Sequence, residues 1–190
     1  MSNPPVPAGV QPTLETERLI LRPFRLADAP EVQRLAGDRA IAETTATIPH
    51  PYPDGAAETW IASHPNRFAS GESVTFAITR RDDGALLGCI GLEINTEMQR
   101  TELGYWVGKP YWNHGYCTEA AWAVVRFAFE DLGLRRVFAQ HDGRNAASGR
   151  VMQKAGMRHE GTLRHHNVKW GVVDDMEVYG VLREKWRESA

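Results

Sequence analysis

The turn VGKPYWNHGYCT, residues 107–118, joins a β-rich apolar run to a long amphipathic stretch and holds Gly108, Pro110 and Gly115. A tight loop feeding a helix N-terminus presents unpaired backbone N–H groups and the positive end of a helix dipole. Together these hold an anion such as phosphate. The familiar nucleotide signatures do not fit. No G-x-G-x-x-G follows a strand, and GYWVGKP has one residue too few between its glycines for a Walker loop and Pro110 where Ser or Thr is needed. The anion is therefore held by another scheme. A second cluster, RHEGTLRHHNVKW, gathers cations and histidines. On a strand His165 and His166 would face opposite sides, so we expect a solvated face there and no metal.

The elements that must position the loop follow from hydrophobic period and turn chemistry. RLILRPF over 18–24 reads as a strand, followed by a helix with Asp28 as N-cap and Pro30 in its first turn. Residues 40–53 carry three prolines and no clean period, and 56–69 looks helical but contains Pro65, which should bend or break it. We expect a mobile or substrate-facing region here. Strands over 73–80 and 85–94 flank Asp83-Gly84, the turn of a hairpin, and a third strand ends at the loop. A helix over 118–132 should bury Ala121, Val124, Val125, Ala128 and Phe129 and end at Gly133. A strand over 135–142, a helix capped by Asn145 and closed by Gly156, and two strands near 158–165 and 175–182 complete a mixed α/β single sheet.

Composition sets the class. With 42% hydrophobic and 24% charged residues the 190-residue chain reads as one globular domain, 13–190, behind a disordered Pro-rich tail, 1–12. The net charge of −2 gives no broad basic field, so we expect no direct nucleic-acid partner. Cys89 and Cys117 form no metal or disulfide framework. The N-terminus lacks a signal-peptide core and no apolar run reaches membrane-spanning length, so a cytoplasmic protein without a membrane partner is expected.

The run ELGYWVGKPYWNHGYCTEAAWAVVRFAFEDLGLRRVFAQHDGRNAASGRVMQKAGMRHEGTL resembles the core of the GNAT superfamily of acetyl-CoA-dependent N-acetyltransferases, in particular its RimJ/RimL branch, which acetylates N-termini of ribosomal proteins. The likeness extends from TERLILRPF to VYGVLREKW. It implies a GNAT fold: one mixed, mostly antiparallel (α+β) sheet, splayed in the middle, with helices on both faces. It places the acetyl-CoA pyrophosphate on Trp112, Asn113, His114, Gly115, Tyr116, Cys117 and Thr118, where the family pattern is Q/R-x-x-G-x-G/A. Trp112 replaces the first polar residue, and Cys117, standing where Gly or Ala is usual, would crowd the phosphate slightly. Gly115 keeps the close backbone approach. The pantetheine arm would lie between 102–107 and 136–142, beside Gly104, Tyr105, Trp106 and Val107, with backbone N–H groups of the first three polarising the thioester carbonyl. Asn145 and Ser148 match the family's N-x-x-S.

An amine must lose its proton before attacking a thioester, which calls for a nearby carboxylate or histidine. Within the resemblance, Glu102 is the first choice for this base and His141 the second. Ser148 is the candidate donor to the departing thiolate, which can also leave unassisted. The aromatic side chains of Tyr105, Trp106, Tyr111 and Trp112 are read as packing, and Arg150 and Lys154 as facing either CoA phosphates or water. The acceptor amine would enter between 41–60 and 163–175, with Glu43 and Arg164 as contacts. These segments mix acidic with basic residues, which favours a protein N-terminus or an amino-acid-like amine, attacked directly in a ternary complex. The alternatives are an antibiotic or polyamine acetyltransferase and a non-catalytic acyl-CoA-binding or sensing module. A homodimer is left open.

Overall fold

The computed structural model describes residues 9–187, so most of the expected tail, 1–8, lies outside the described residues. Gln11, within that tail, donates from Nε2 to Thr75 O at 2.9 Å. Eight strands form one sheet in the order β1-β2-β3-β4-β5-β6-β8-β7. They are β1 (Leu14–Glu15), β2 (Leu19–Pro23), β3 (Ser73–Arg80), β4 (Leu86–Asn95), β5 (Arg100–Val107), β6 (Arg136–Asp142), β7 (Arg158–Lys169) and β8 (Val172–Leu182). Every neighbouring pair is antiparallel except β5 and β6, which are linked by the crossover helix α4 (Tyr116–Glu130). The remaining helices are α1 (Ala29–Ala36), α2 (Arg39–Ala42), α3 (Ala56–Ala69), α5 (Ala146–Lys154) and α6 (Arg183–Arg187).

Strand alternation puts helices on both faces. Phe76 and Ile78 of β3 join the larger core with α4, which buries all five residues expected of it. Ala77, between them, points the other way into a smaller core with α1 and α3. The hairpin turns where expected, with Gly84 at φ 71° and Asp83 Oδ1 accepting the Ala85 N–H. Two local expectations need correction. α3 runs through Pro65 without a break. Asp28 stands at the α1 N-cap position, but its carboxylate is taken by the Arg22 guanidinium, at 2.7 and 2.8 Å, and by the Arg25 N–H. The unassigned stretch 40–53 begins inside α2, which is capped by Asp38 Oδ1 on the Ala40 N–H.

The sheet opens between β5 and β6. Their pairing covers only Arg100–Arg136, Thr101–Val137 and Glu102–Phe138, while β5 stays paired with β4 to Val107 and β6 with β8 to Asp142. Beyond Glu102 the two inner edges diverge into a wedge.

Candidate active site

The loop after β5 is held from within. Trp112 Nε1 donates to Val107 O at 2.6 Å, His114 bonds Trp112 O through Nδ1, and the His114 ring stacks on Tyr116. Gly115 is the N-cap of α4 at φ 80°, a left-handed conformation that favours glycine. No side chain caps the helix, and the first intrahelical backbone bond is Glu119 N–H to Gly115 O at 3.1 Å. The N–H groups of Tyr116, Cys117 and Thr118 are thus left for an anion. The Cys117 side chain packs against the larger core, and burial pushes its thiol up to about 12. The residue missed in the sequence is Arg18. Its guanidinium donates to His114 O at 3.0 Å and to Glu119 Oε2 at 2.7 Å, and it lies over the Tyr116 ring. A Cβ on Gly115 would come 3.4 Å from Arg18 Nη2, so a side chain there meets this cation before it meets a phosphate. Arg18 and Glu119 are separated by a hundred positions, and no local pattern links them.

The wedge sorts the backbone amides. Gly108 N–H donates to Leu87 O, so along β5 the amides of Glu102, Gly104 and Trp106 turn toward β4 and those of Leu103, Tyr105 and Val107 toward the wedge. Of the three amides expected to face a thioester, only that of Tyr105 turns toward the wedge, since Gly104 and Trp106 have theirs in the β4 ladder.

Side chains divide by face as well. Leu103, Tyr105 and Val107 lie with α4 and α5, whereas Trp106 packs with α1 and α3, which puts Glu102 and Gly104 on that opposite side. On the α5 face, Asn145 Oδ1 accepts the Ser148 N–H at 3.3 Å, as its capping role predicts. The Tyr105 hydroxyl lies 2.9 Å from Ser148 Oγ and 3.1 Å from Ser148 O. The phenol thus does more than pack, through a contact between residues 43 positions apart. On the other face Glu102 is half-buried, and Gln140 Nε2 donates to its carboxylate at 3.2 Å. Burial raises its pKa above the ordinary carboxylate value, the Gln140 bond pulls it down, and Glu93 pushes it up.

His141 is on the wrong side for the second-choice base. Alternation along β6 sends it toward α5 with Ala139, away from Gln140 and Glu102. Its Nδ1–H donates to Asp142 O at 2.8 Å, and its buried Nε2 has no partner among the described residues. A Cβ on Gly149 would fall 2.7 Å from that nitrogen. The imidazole packs beneath α5, on the face of the sheet opposite Glu102.

The Glu102 face borders open space: a Cβ on Gly104 would meet nothing within 4 Å. Across that space the β7–β8 hairpin is tied to the segment after α2, with Lys169 Nζ donating to Thr45 O. Trp170 at its tip lies beneath the Arg39 guanidinium and near His50. Glu43 is paired with Arg39 at 2.8 Å, Asp174 with Arg144 at 2.7 Å and Glu177 with His159 at 2.5 Å. Residues 164–166 form a bulge between the Leu163–Met176 and Asn167–Asp174 pairs, with His165 at φ 51°. The strict alternation expected of His165 and His166 does not hold there. Arg164 is exposed and has no ion-pair partner among the described residues. No group of three or more metal-ligating side chains occurs among the described residues.

Comparison with known proteins places these features in context. Residues 18–158 match the acetyltransferase (GNAT) domain family. The chain is 30% identical to the "Uncharacterized N-acetyltransferase YoaA" of Bacillus subtilis over 92% of its own length and 98% of that protein's. Its fold is similar to that of RimL, the ribosomal L7/L12 alpha-N-protein acetyltransferase solved with coenzyme A, with a TM-score of 0.83 at 14% identity over 90% of this chain and 98% of that one. It is also similar to a chimera of the spermidine N-acetyltransferase SpeG from Vibrio cholerae and hSSAT, with a TM-score of 0.76 at 17% identity over 89% of this chain and 98% of that one.

Proposed function

Since the chain belongs to the GNAT acetyltransferase family, we propose that this N-acetyltransferase moves the acetyl group of acetyl-CoA onto the primary amine of a peptide N-terminus or an amino-acid-like molecule. The observation that carries the reading is the wedge itself. It has the uncapped amides of α4 at one end, Ser148 on one face of β5 and Glu102 on the other. The residues present fit acetyl-CoA: the amides of Tyr116, Cys117 and Thr118 take the pyrophosphate, and the wedge-facing backbone of β5 pairs with the pantetheine amides as a strand would. Trp112, Asn113 and His114 shape the approach, and Asn145 fixes the start of α5.

The amine arrives over Gly104. Glu102 takes its proton directly or through one water, the nitrogen attacks the thioester carbonyl while both substrates are bound, and the Tyr105 N–H is the donor nearest the developing oxyanion. The C–S bond then breaks and its electron pair leaves on sulfur, beside Ser148. A carboxylate raised by burial is matched to an α-amine, which is partly deprotonated near neutral pH.

The acceptor class follows from charge. A polyamine site calls for a mainly acidic pocket, and here Glu43 and Asp174 are engaged by Arg39 and Arg144, while Asp54, Glu58 and Asp175 share the region with Arg164 and Lys169. Arg164, without an ion-pair partner among the described residues, suits an acceptor carbonyl or carboxylate. The test is CoA thiol release across peptides, amino acids, polyamines and aminoglycosides. Peptides or amino acids should turn over fastest. Faster turnover of polyamines or aminoglycosides would overturn the acceptor assignment, and acetyl-CoA binding without thiol release would leave a binding module.

A further inference from the structure

The Tyr105 hydroxyl has one proton and two neighbours on Ser148 that can receive it, the carbonyl at 3.1 Å and Oγ at 2.9 Å. A carbonyl only accepts. When Tyr105 donates to it, the Ser148 Oγ–H turns back onto the phenol oxygen and its proton is spent. When Tyr105 donates to Oγ instead, the Ser148 proton is free to point elsewhere. We propose, building on the acetyl-transfer reading, that Tyr105 is a positioning residue that donates to Ser148 Oγ and so releases the Ser148 hydroxyl proton as a hydrogen bond to the departing CoA thiolate.

Three features of the structure support this. Tyr105 stands on β5 where the sheet has opened, so its phenol spans the wedge to α5 at the level where the thioester must lie. Burial raises the phenol well above its ordinary pKa, so it stays a neutral donor at any working pH. Ser148 is also fixed by its neighbours, its N–H on Asn145 Oδ1 and Gly149 seated against the His141 ring, which leaves the hydroxyl as the part free to turn.

The proton balance is simple. The ammonium proton goes to Glu102 and then to water before attack, the second nitrogen proton leaves by the same route as the tetrahedral intermediate collapses, the sulfur departs with the C–S electron pair, and the thiolate takes one proton back from solvent. Ser148 and Tyr105 keep theirs throughout. Removing the Tyr105 hydroxyl therefore weakens charge stabilisation on sulfur without changing how acetyl-CoA binds.

A double-mutant cycle tests this, using acceptor-saturated kcat, KM and calorimetric acetyl-CoA affinity for wild type, Tyr105→Phe, Ser148→Ala and the double variant. Tyr105→Phe should lower kcat about tenfold, the order of one hydrogen bond, with acetyl-CoA affinity unchanged. In the Ser148→Ala background the same change should have no further effect. Additive losses, an unchanged kcat, or a loss confined to acetyl-CoA affinity would reduce Tyr105 to a strut between β5 and α5. Wild-type protein that releases no thiol with any acceptor would end the acetyl-transfer reading and this one together; an active wild type with additive variants ends this one alone.

Discussion

Along β5, Thr101, Leu103, Tyr105 and Val107 point toward α4 and α5, where all but Tyr105 are buried and Tyr105 is hydrogen-bonded, while Glu102 and Gly104 border open space on the other face. Adjacent residues of one strand thus serve two tasks. The α5 side is tied down before any ligand arrives: Ser148 by Asn145 and Tyr105, and the loop by Trp112, His114 and Arg18. The Glu102 side is a space bounded by segments joined by a few contacts, such as Lys169 to Thr45. On the proposed reading, preorganisation lies where the common donor binds, because every turnover uses the same donor and rigid dipoles need no rearrangement in the transition state. Openness belongs where acceptors are chosen. Variants on the two faces should therefore separate cleanly in their kinetics.

The sharpest separation is expected from Glu102→Gln. Losing the base should reduce turnover by about 10²-fold or more while acetyl-CoA affinity stays the same. In the wild type, activity should rise with pH through the raised Glu102 pKa, because only the carboxylate form accepts the amine proton. The variant should lose that limb of the pH–rate profile. An unchanged profile would move the base from Glu102 to solvent.

The helical layer on the Glu102 side should also be the acid-sensitive one. His64 of α3 is buried against Phe24 and Trp60, neither ring nitrogen has a partner among the described residues, and burial lowers it from 6.5 to about 4. The folded protein therefore resists protonation that the unfolded chain accepts. Its contribution is intact above the unfolded pKa of 6.5 and is lost as pH falls toward 4. By pH 4.5 this amounts to about 2–3 kcal/mol. Denaturation of His64→Phe at pH 7 and pH 4.5 should show a smaller fall than wild type by about that amount. Equal falls would show that the imidazole is accommodated at both pH values.

Gly104→Val puts a side chain into the open space beside Glu102. We expect the acceptor KM to rise about tenfold with acetyl-CoA affinity unchanged, since the 104 amide faces β4 and not the wedge. A weakened acetyl-CoA affinity would place the open face on the donor's path. The smallest effect, on the donor side alone, is that of Gly115→Ala. A left-handed alanine costs about 1–2 kcal/mol, and the loop should respond by weakening acetyl-CoA about five- to tenfold while leaving acceptor KM alone. Calorimetry and acceptor titration separate the two.

Much of this layout is written in the sequence. The order of the main strands and helices, without β1, α2 and α6, the Asp83-Gly84 hairpin, the buried stripe of α4, the Asn145 cap and the glycine-bearing loop before α4 follow from period and turn chemistry, which act over a few residues. The resemblance carried by the 102–163 run placed Glu102 and Ser148 at the opening of the sheet. What sequence alone could not supply is which neighbours share a face and which distant side chains meet. The Tyr105–Ser148 contact, the Arg18–Glu119 clamp and the burial of His141 beneath Gly149 each depend on chain segments brought together only when the sheet closes. Pro65 within α3 and the bulge at 164–166 likewise override local preference. Local rules determined the main elements and the glycine turn that leaves the first amides of α4 uncapped; tertiary packing decided which side of β5 each group occupies, because a strand turns successive residues to opposite faces and only the helices laid on those faces give them different surroundings.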